Sequence, residues 1–230
     1  MNSNRHARAP RAWRFAFSLS KATRILAFIA VGLILLGLLF PARSGSGTID
    51  KKSLVKADVT NIAAAVKQYY LEYGHYPVGM LTAPDGKDVM YGGDAHPNHL
   101  LFDILRNVSP DGSPNPFNPR GIVFFDATFV SDSASPRGGV ATQDVGSIKK
   151  GDFLDPWGQP YRVVVDSNDD HVIKPAGAFY KDFLDERAPH SDCGVFSVGK
   201  DGILGDRAFP GYYRNLSGPE KLSDDVISWQ

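Results

Sequence analysis

The sequence predicts an α+β domain, a long amphipathic helix packed on a small antiparallel β-sheet, carried behind a membrane anchor. An unbroken apolar run, Ile25 to Phe40, reads ILAFIAVGLILLGLLF. Beyond it, apolar residues from Val55 to Tyr73 recur at alternating spacings of four and three, the period of a helix with one buried face. Strand-like runs come only afterwards and do not alternate with helices, which indicates an antiparallel rather than a βαβ arrangement.

The chain begins with a basic leader, 1–24, in which Arg5, Arg8, Arg11, Arg14, Lys21 and Arg24 all precede the first acidic residue, Asp50. Together with its neighbours the apolar run gives a candidate transmembrane anchor over 25–42, close to the roughly 20 residues a spanning helix needs. Six cations before it and only Arg43 close behind it predict a cytoplasmic N-terminus, with the rest of the chain outside. A cleaved signal peptide is the rival reading, with Ala42 and Ser44 as small residues at the cleavage site. The long basic leader and long apolar run favour retention. Over the whole chain, 25 basic residues balance 25 acidic ones, which argues against a nucleic-acid partner. Cys193 is the single cysteine, so no intramolecular disulfide braces the domain.

A linker follows at 43–50, and Pro41 to Thr48, PARSGSGT, is rich in turn-forming residues that separate the anchor from the next helix. The extracytoplasmic domain is 51–230. Its helix spans Lys51 to Tyr73: Val55, Val59, Ile62, Val66, Tyr69 and Tyr73 form the apolar face, Tyr70 widens it, and Gly74 followed by Pro77 supplies a stop. A helix of this length is marginal alone in water, so a sheet or another helix must cover that face. A loop-dominated stretch comes next, with one short helix over Leu100 to Val108 and a strand over Gly121 to Val130, rich in β-branched and aromatic residues. Tyr161 to Val165 and Val172 to Lys174, separated by a polar turn, read as a β-hairpin. Gly194 to Val198 is a further strand, and the tail from Gly199 is aperiodic.

Four pieces in order resemble the major pseudopilin of bacterial type II secretion systems: ADVTNIAAAVKQYYLEYGHYP from Ala57, DPWGQPY from Asp155, FSVGKDGILGD from Phe196, and SDDVISW from Ser223. The resemblance implies a pseudopilin-like fold with a calcium-binding C-terminal loop. It also implies a non-enzymatic subunit of a periplasmic fibre that helps export folded proteins. Its partners would be other pseudopilin subunits and the inner-membrane secretion platform, with the lipid bilayer holding 25–42. The chain departs from the family in two respects. No Gly precedes Ile25 and no acidic residue lies in the apolar run, so the prepilin peptidase signature is missing. A long insertion, 79–151, and the linker also interrupt the family pattern. The alternative is a solitary anchored domain that binds a partner without assembling into a fibre.

Calcium takes six to eight hard oxygens from carboxylates and carbonyls. By resemblance Asp201 and Asp224 are the first candidates, assisted by Asp225 and by backbone oxygens near Ser197; Asp206 also lies in the tail. Spacing alone reads these residues as ordinary turn formers. Asp155 to Tyr161 reads as a packing turn, with Trp157 and Tyr161 buried against the helix. The run Asp166-Ser167-Asn168-Asp169-Asp170 imitates the start of an EF-hand loop but has His171 and Gly177 where that loop needs Gly and Glu, so it reads as a turn. His96 and His99 read as loop residues. Cys193 with His190 three residues before it raises a nucleophile reading, but a lone cysteine reads first as packing; an extracytoplasmic hydrolase using Asp or His is the least supported alternative.

Overall fold

The computed structural model describes residues 50–84, 86–109, 111–183, 187–214 and 221–229. Among them no helix is long and apolar enough to cross a membrane; the leader, the expected anchor over 25–42 and the linker up to residue 49 lie outside them.

Helix α1 runs Lys51–Tyr73, and its ends are fixed locally. Asp50 caps the start by accepting from the Lys52 N–H at 3.3 Å. Gly74 closes the end at φ 71°, its N–H reaching the Tyr70 carbonyl, a left-handed cap that favours glycine. Val55, Val59, Ile62, Val66 and Tyr69 are all fully buried. Burying one such side chain contributes roughly 1.5–3 kcal/mol, so this face rather than helix propensity holds α1 in place. The phenols of Tyr69 and Tyr73 fasten the last turn, donating to the Phe117 carbonyl at 2.5 Å and to Asn118 Oδ1 at 2.6 Å.

The sheet under α1 has four antiparallel strands, β1 (Val89–Tyr91), β4 (Arg162–Val165), β5 (Cys193–Ser197) and β6 (Val226–Ile227), in the order β1-β4-β5-β6. Register pairs Val89 with Val165, Val165 with Cys193, and Phe196 with Ile227. Side chains alternate across it. Val89, Tyr91, Val163, Val165, Cys193, Val195 and Val226 pack toward α1, while Met90, Val164, Phe196 and Ile227 pack into a second layer with Ile173, Phe179, Tyr180 and Tyr213. Both faces are covered, which is why the strands are largely apolar, as in 163–165 and 193–196. A smaller sheet pairs β2 (Gly139–Val140) with β3 (Phe153–Leu154), and a short helix, α2 (His99–Leu105), packs beside α1.

Several expected elements differ. The stretch 79–151, expected as an insertion, supplies β1 and α2 to the main core, with Tyr91, Leu101, Phe102 and Leu105 fully buried. Gly121 to Val130 makes no strand: the N–H groups of Phe124 and Phe125 both go to the Leu105 carbonyl at the end of α2, and only Phe129 forms a bridge, to Val140. The hairpin also fails. Strand β4 takes β1 and β5 as partners, while 172–174 is drawn aside because the Lys174 N–H donates to the buried carboxylate of Asp88 at 2.6 Å. The tail contains order that its composition hides, since Val226–Ile227 completes the sheet.

Candidate metal centre

Where β5 ends, the chain turns through 199–205, with Gly199, Gly202 and Gly205 all at positive φ. Strand β6 runs alongside, so the residues just before it, Ser223 to Asp225, are carried against that turn. Asp224 sits directly on Gly199: a Cβ there would lie 2.5 Å from Asp224 Oδ1, which leaves room for glycine alone. The other oxygen of Asp224 accepts from the Lys200 N–H at 2.9 Å. Asp225 is fully buried, and its Oδ2 accepts from the Tyr180 phenol at 2.7 Å and from the Gly205 N–H at 2.9 Å. Its own N–H donates to Ser223 Oγ at 3.0 Å, and the Lys221 ammonium donates to its backbone carbonyl. Tail and turn therefore meet through protein groups.

Two oxygens are left over. Asp224 Oδ1 and Asp225 Oδ1 are buried and have no hydrogen-bond partner, an arrangement that is costly for a carboxylate and that a hard cation relieves. Burial pushes the Asp225 carboxyl up to about 6, against the bonds from Tyr180 and Gly205 that lower it. Both leftover atoms are hard, anionic oxygens of the type that calcium takes as donors. Asp201 is engaged elsewhere: its carboxylate accepts from the Ile203 N–H at 2.9 Å and from Arg207 Nε at 3.2 Å. The carboxylates of Asp201, Asp224 and Asp225 do not converge within 4.8 Å of one another. Ser197 Oγ donates to Asp155 Oδ2 at 2.6 Å, so its hydroxyl belongs to the fold.

The DPWG turn is structural in its contacts. Asp155 is fully buried and accepts from the N–H groups of Trp157 and Gln159, each at 2.9 Å. Tyr161 is fully buried and donates to Asp58 Oδ2 on α1 at 2.6 Å. Trp157 is only half-buried, with the Lys51 ammonium 5.9 Å over its ring. Cys193 is buried in β5, its thiol pushed up in pKa by burial and then by Asp192, while His190 is exposed. That arrangement offers no activated nucleophile. His99 is claimed by Asp152, whose Oδ1 lies 3.1 Å from His99 Nδ1 and also accepts the His99 N–H at 3.0 Å.

The EF-hand-like run forms a turn closed by the buried carboxylate of Asp166, which accepts from the N–H groups of Asp170 and His171 at 3.2 and 2.8 Å. Sequence reasoning left this turn without a role. Among the described residues it nonetheless forms the one group of three acidic or histidine side chains, Asp166, His171 and Asp192, whose donor atoms lie within 4.8 Å of one another. Asp192 is remote in sequence, and only strand pairing brings it in; the aspartate-rich run itself was the available signal. No family model, no curated protein and no solved structure matches the chain.

Proposed function

We propose that the chain is a non-enzymatic, membrane-anchored, pseudopilin-like subunit of a type II secretion system, contributing to a periplasmic pseudopilus that helps export folded proteins. Its N-terminus would lie in the cytoplasm, its anchor at 25–42 in the inner membrane, and its folded domain in the periplasm. Other pseudopilins and the inner-membrane platform would be its partners. The observation that carries this reading is the seating of α1 across β5 and β6, joined to the bond between Ser197 and Asp155. Three of the four family-like sequence pieces thereby meet in one antiparallel core, and the fourth supplies β6. A structural calcium ion, held by Asp224 and Asp225 with carbonyl oxygens of the 199–205 turn, would neutralise the two leftover carboxylate oxygens and tie the tail down.

The absence of an acidic residue from Ile25 to Phe40 favours a second reading, a solitary anchored domain with a binding role and no fibre. A photo-crosslinker in place of Leu71, which is 73% exposed on α1, separates the two in cells that make the protein. Crosslinked multimers or adducts with other pseudopilins, together with a processed N-terminus by intact mass, support the fibre. Monomers alone with an intact leader reject it.

A further inference from the structure

We infer that Asp166, His171 and Asp192 bind a divalent first-row transition metal, with Zn2+ the best match, at the end of the sheet away from the 199–205 turn. The site is assembled by the fold. Asp166 directly follows β4 and Asp192 directly precedes β5, and the register that pairs Val165 with Cys193 sets them side by side, the Asp166 N–H donating to the Asp192 carbonyl at 3.1 Å. The turn then swings His171 back over them, with Asp169 and His171 both in the left-handed region at φ 59° and 58°. His171 Nδ1 stands 3.1 Å from Asp192 Oδ1 and 3.8 Å from Asp166 Oδ2. Donors about 2.0–2.2 Å from a tetrahedral zinc are themselves about 3.3 Å apart, and the two separations bracket that value.

Chemistry selects the ion. An imidazole nitrogen with two carboxylates suits zinc and its first-row neighbours, whereas calcium takes oxygen donors. Asp166 Oδ2 accepts one backbone N–H and keeps a second lone pair for a metal. Three protein ligands with an open fourth position also follow the zinc pattern, and His171 and Asp192 are exposed enough for an ion to enter.

A separate observation points to a ligand here. Tyr76 is 5% exposed, and its phenol oxygen is buried with no hydrogen-bond partner. After burial itself, the charges of Asp192 and Asp166 most disfavour its ionisation, so both carboxylates lie within electrostatic reach of this hydroxyl. A hollow of about 330 Å³ opens between the end of α1 and the turn, lined by Tyr70, Gly74, His75, Tyr76, Ser167 and Asp169. Ser167 and Asp169 belong to the same turn as Asp166 and His171, and a metal-bound water or anion reaching the hollow from that turn would give the phenol the acceptor it lacks.

The competing account is a plain His171–Asp192 ion pair, and zinc binding to the full-length chain purified in detergent separates the two. Equilibrium dialysis with Zn2+ alone should show one saturable site that excess Ca2+ does not displace. His171→Asn keeps a residue tolerant of positive φ and should weaken binding at least about tenfold, as should Asp192→Asn. Tyr76→Phe should weaken it by a smaller factor while leaving the metal-free protein no less stable. Asp224→Asn should leave zinc binding unchanged. Co2+ in the same site should give visible absorption that His171→Asn abolishes. An absence of saturable zinc binding, or binding that neither His171→Asn nor Asp192→Asn alters, overturns the site.

Discussion

The hydroxyl of Ser197, the last residue of β5, donates to Asp155 Oδ2 at 2.6 Å, so the turn that leads into β4 is locked to the strand beside it. Asp155 holds its own turn with the opposite oxygen, through the N–H groups of Trp157 and Gln159. One buried carboxylate therefore sets both the turn and the start of the tail. Removing it orphans three donors, each costing about 1–3 kcal/mol when left unpaired. Asp155→Ala should lower stability by roughly 3–5 kcal/mol, as for a broken buried charge network, and Ser197→Ala by only about 1–2 kcal/mol. Urea denaturation followed by circular dichroism would order the two variants, and equal losses would contradict the account.

His99 gives a pH dependence of known sign. Its pKa is raised above the ordinary value, first by the hydrogen bond with Asp152 and against burial, which lowers it. A histidine whose folded pKa is raised stabilises the fold fully below its unfolded value of about 6.5, and that contribution disappears as pH rises through the folded value. Wild-type stability should therefore contain a component that declines above pH ~6.5, and His99→Gln should remove it. Denaturation midpoints across neutral pH for the two proteins would show this, and parallel curves would count against it.

Cys193 should be chemically silent. It lies inside β5 against α1, and burial raises its thiol pKa, so thiolate is scarce at neutral pH. A thiol reagent such as Ellman's should label no thiol in the native chain and one per chain in denaturant, matching the single cysteine. Rapid native labelling, or a hydrolytic activity that Cys193→Ala removes, would revive the nucleophile reading.

Helix α1 was fully legible from the sequence, because its stripe of Val55, Val59, Ile62, Val66 and Tyr69 and its Gly74 stop are local signals. The strands were legible in part. Strands β4 and β5 carry the apolar runs 163–165 and 193–196, but β1 and β6 hold only three and two residues, too few for any periodicity to register. Partner choice was hidden for another reason: Asp88 draws 174 out of the expected hairpin through a contact 86 residues distant. The Gly121 to Val130 run has strand composition yet bonds to a helix end, a tertiary choice that β-propensity does not encode. At the candidate centre, the meeting of Asp224 with the Gly199 turn was anticipated, whereas the engagement of Asp201 by Arg207 and of the Ser197 hydroxyl by Asp155 was not. Those pairings depend on side chains that no motif places.

The proposed calcium clamp on the tail rests on Asp224 Oδ1 and Asp225 Oδ1, which are buried without partners. The direct test is the unfolding midpoint of the full-length chain at pH ~7.5, above the value of about 6 to which burial pushes Asp225, in calcium and after chelation, with zinc excluded. Calcium at a hundredfold excess over its Kd should add about 2.7 kcal/mol. Asp224→Asn, which keeps an acceptor for the Lys200 N–H, should remove that gain, while His171→Asn should leave it intact. A midpoint indifferent to calcium in the wild-type protein would contradict the clamp.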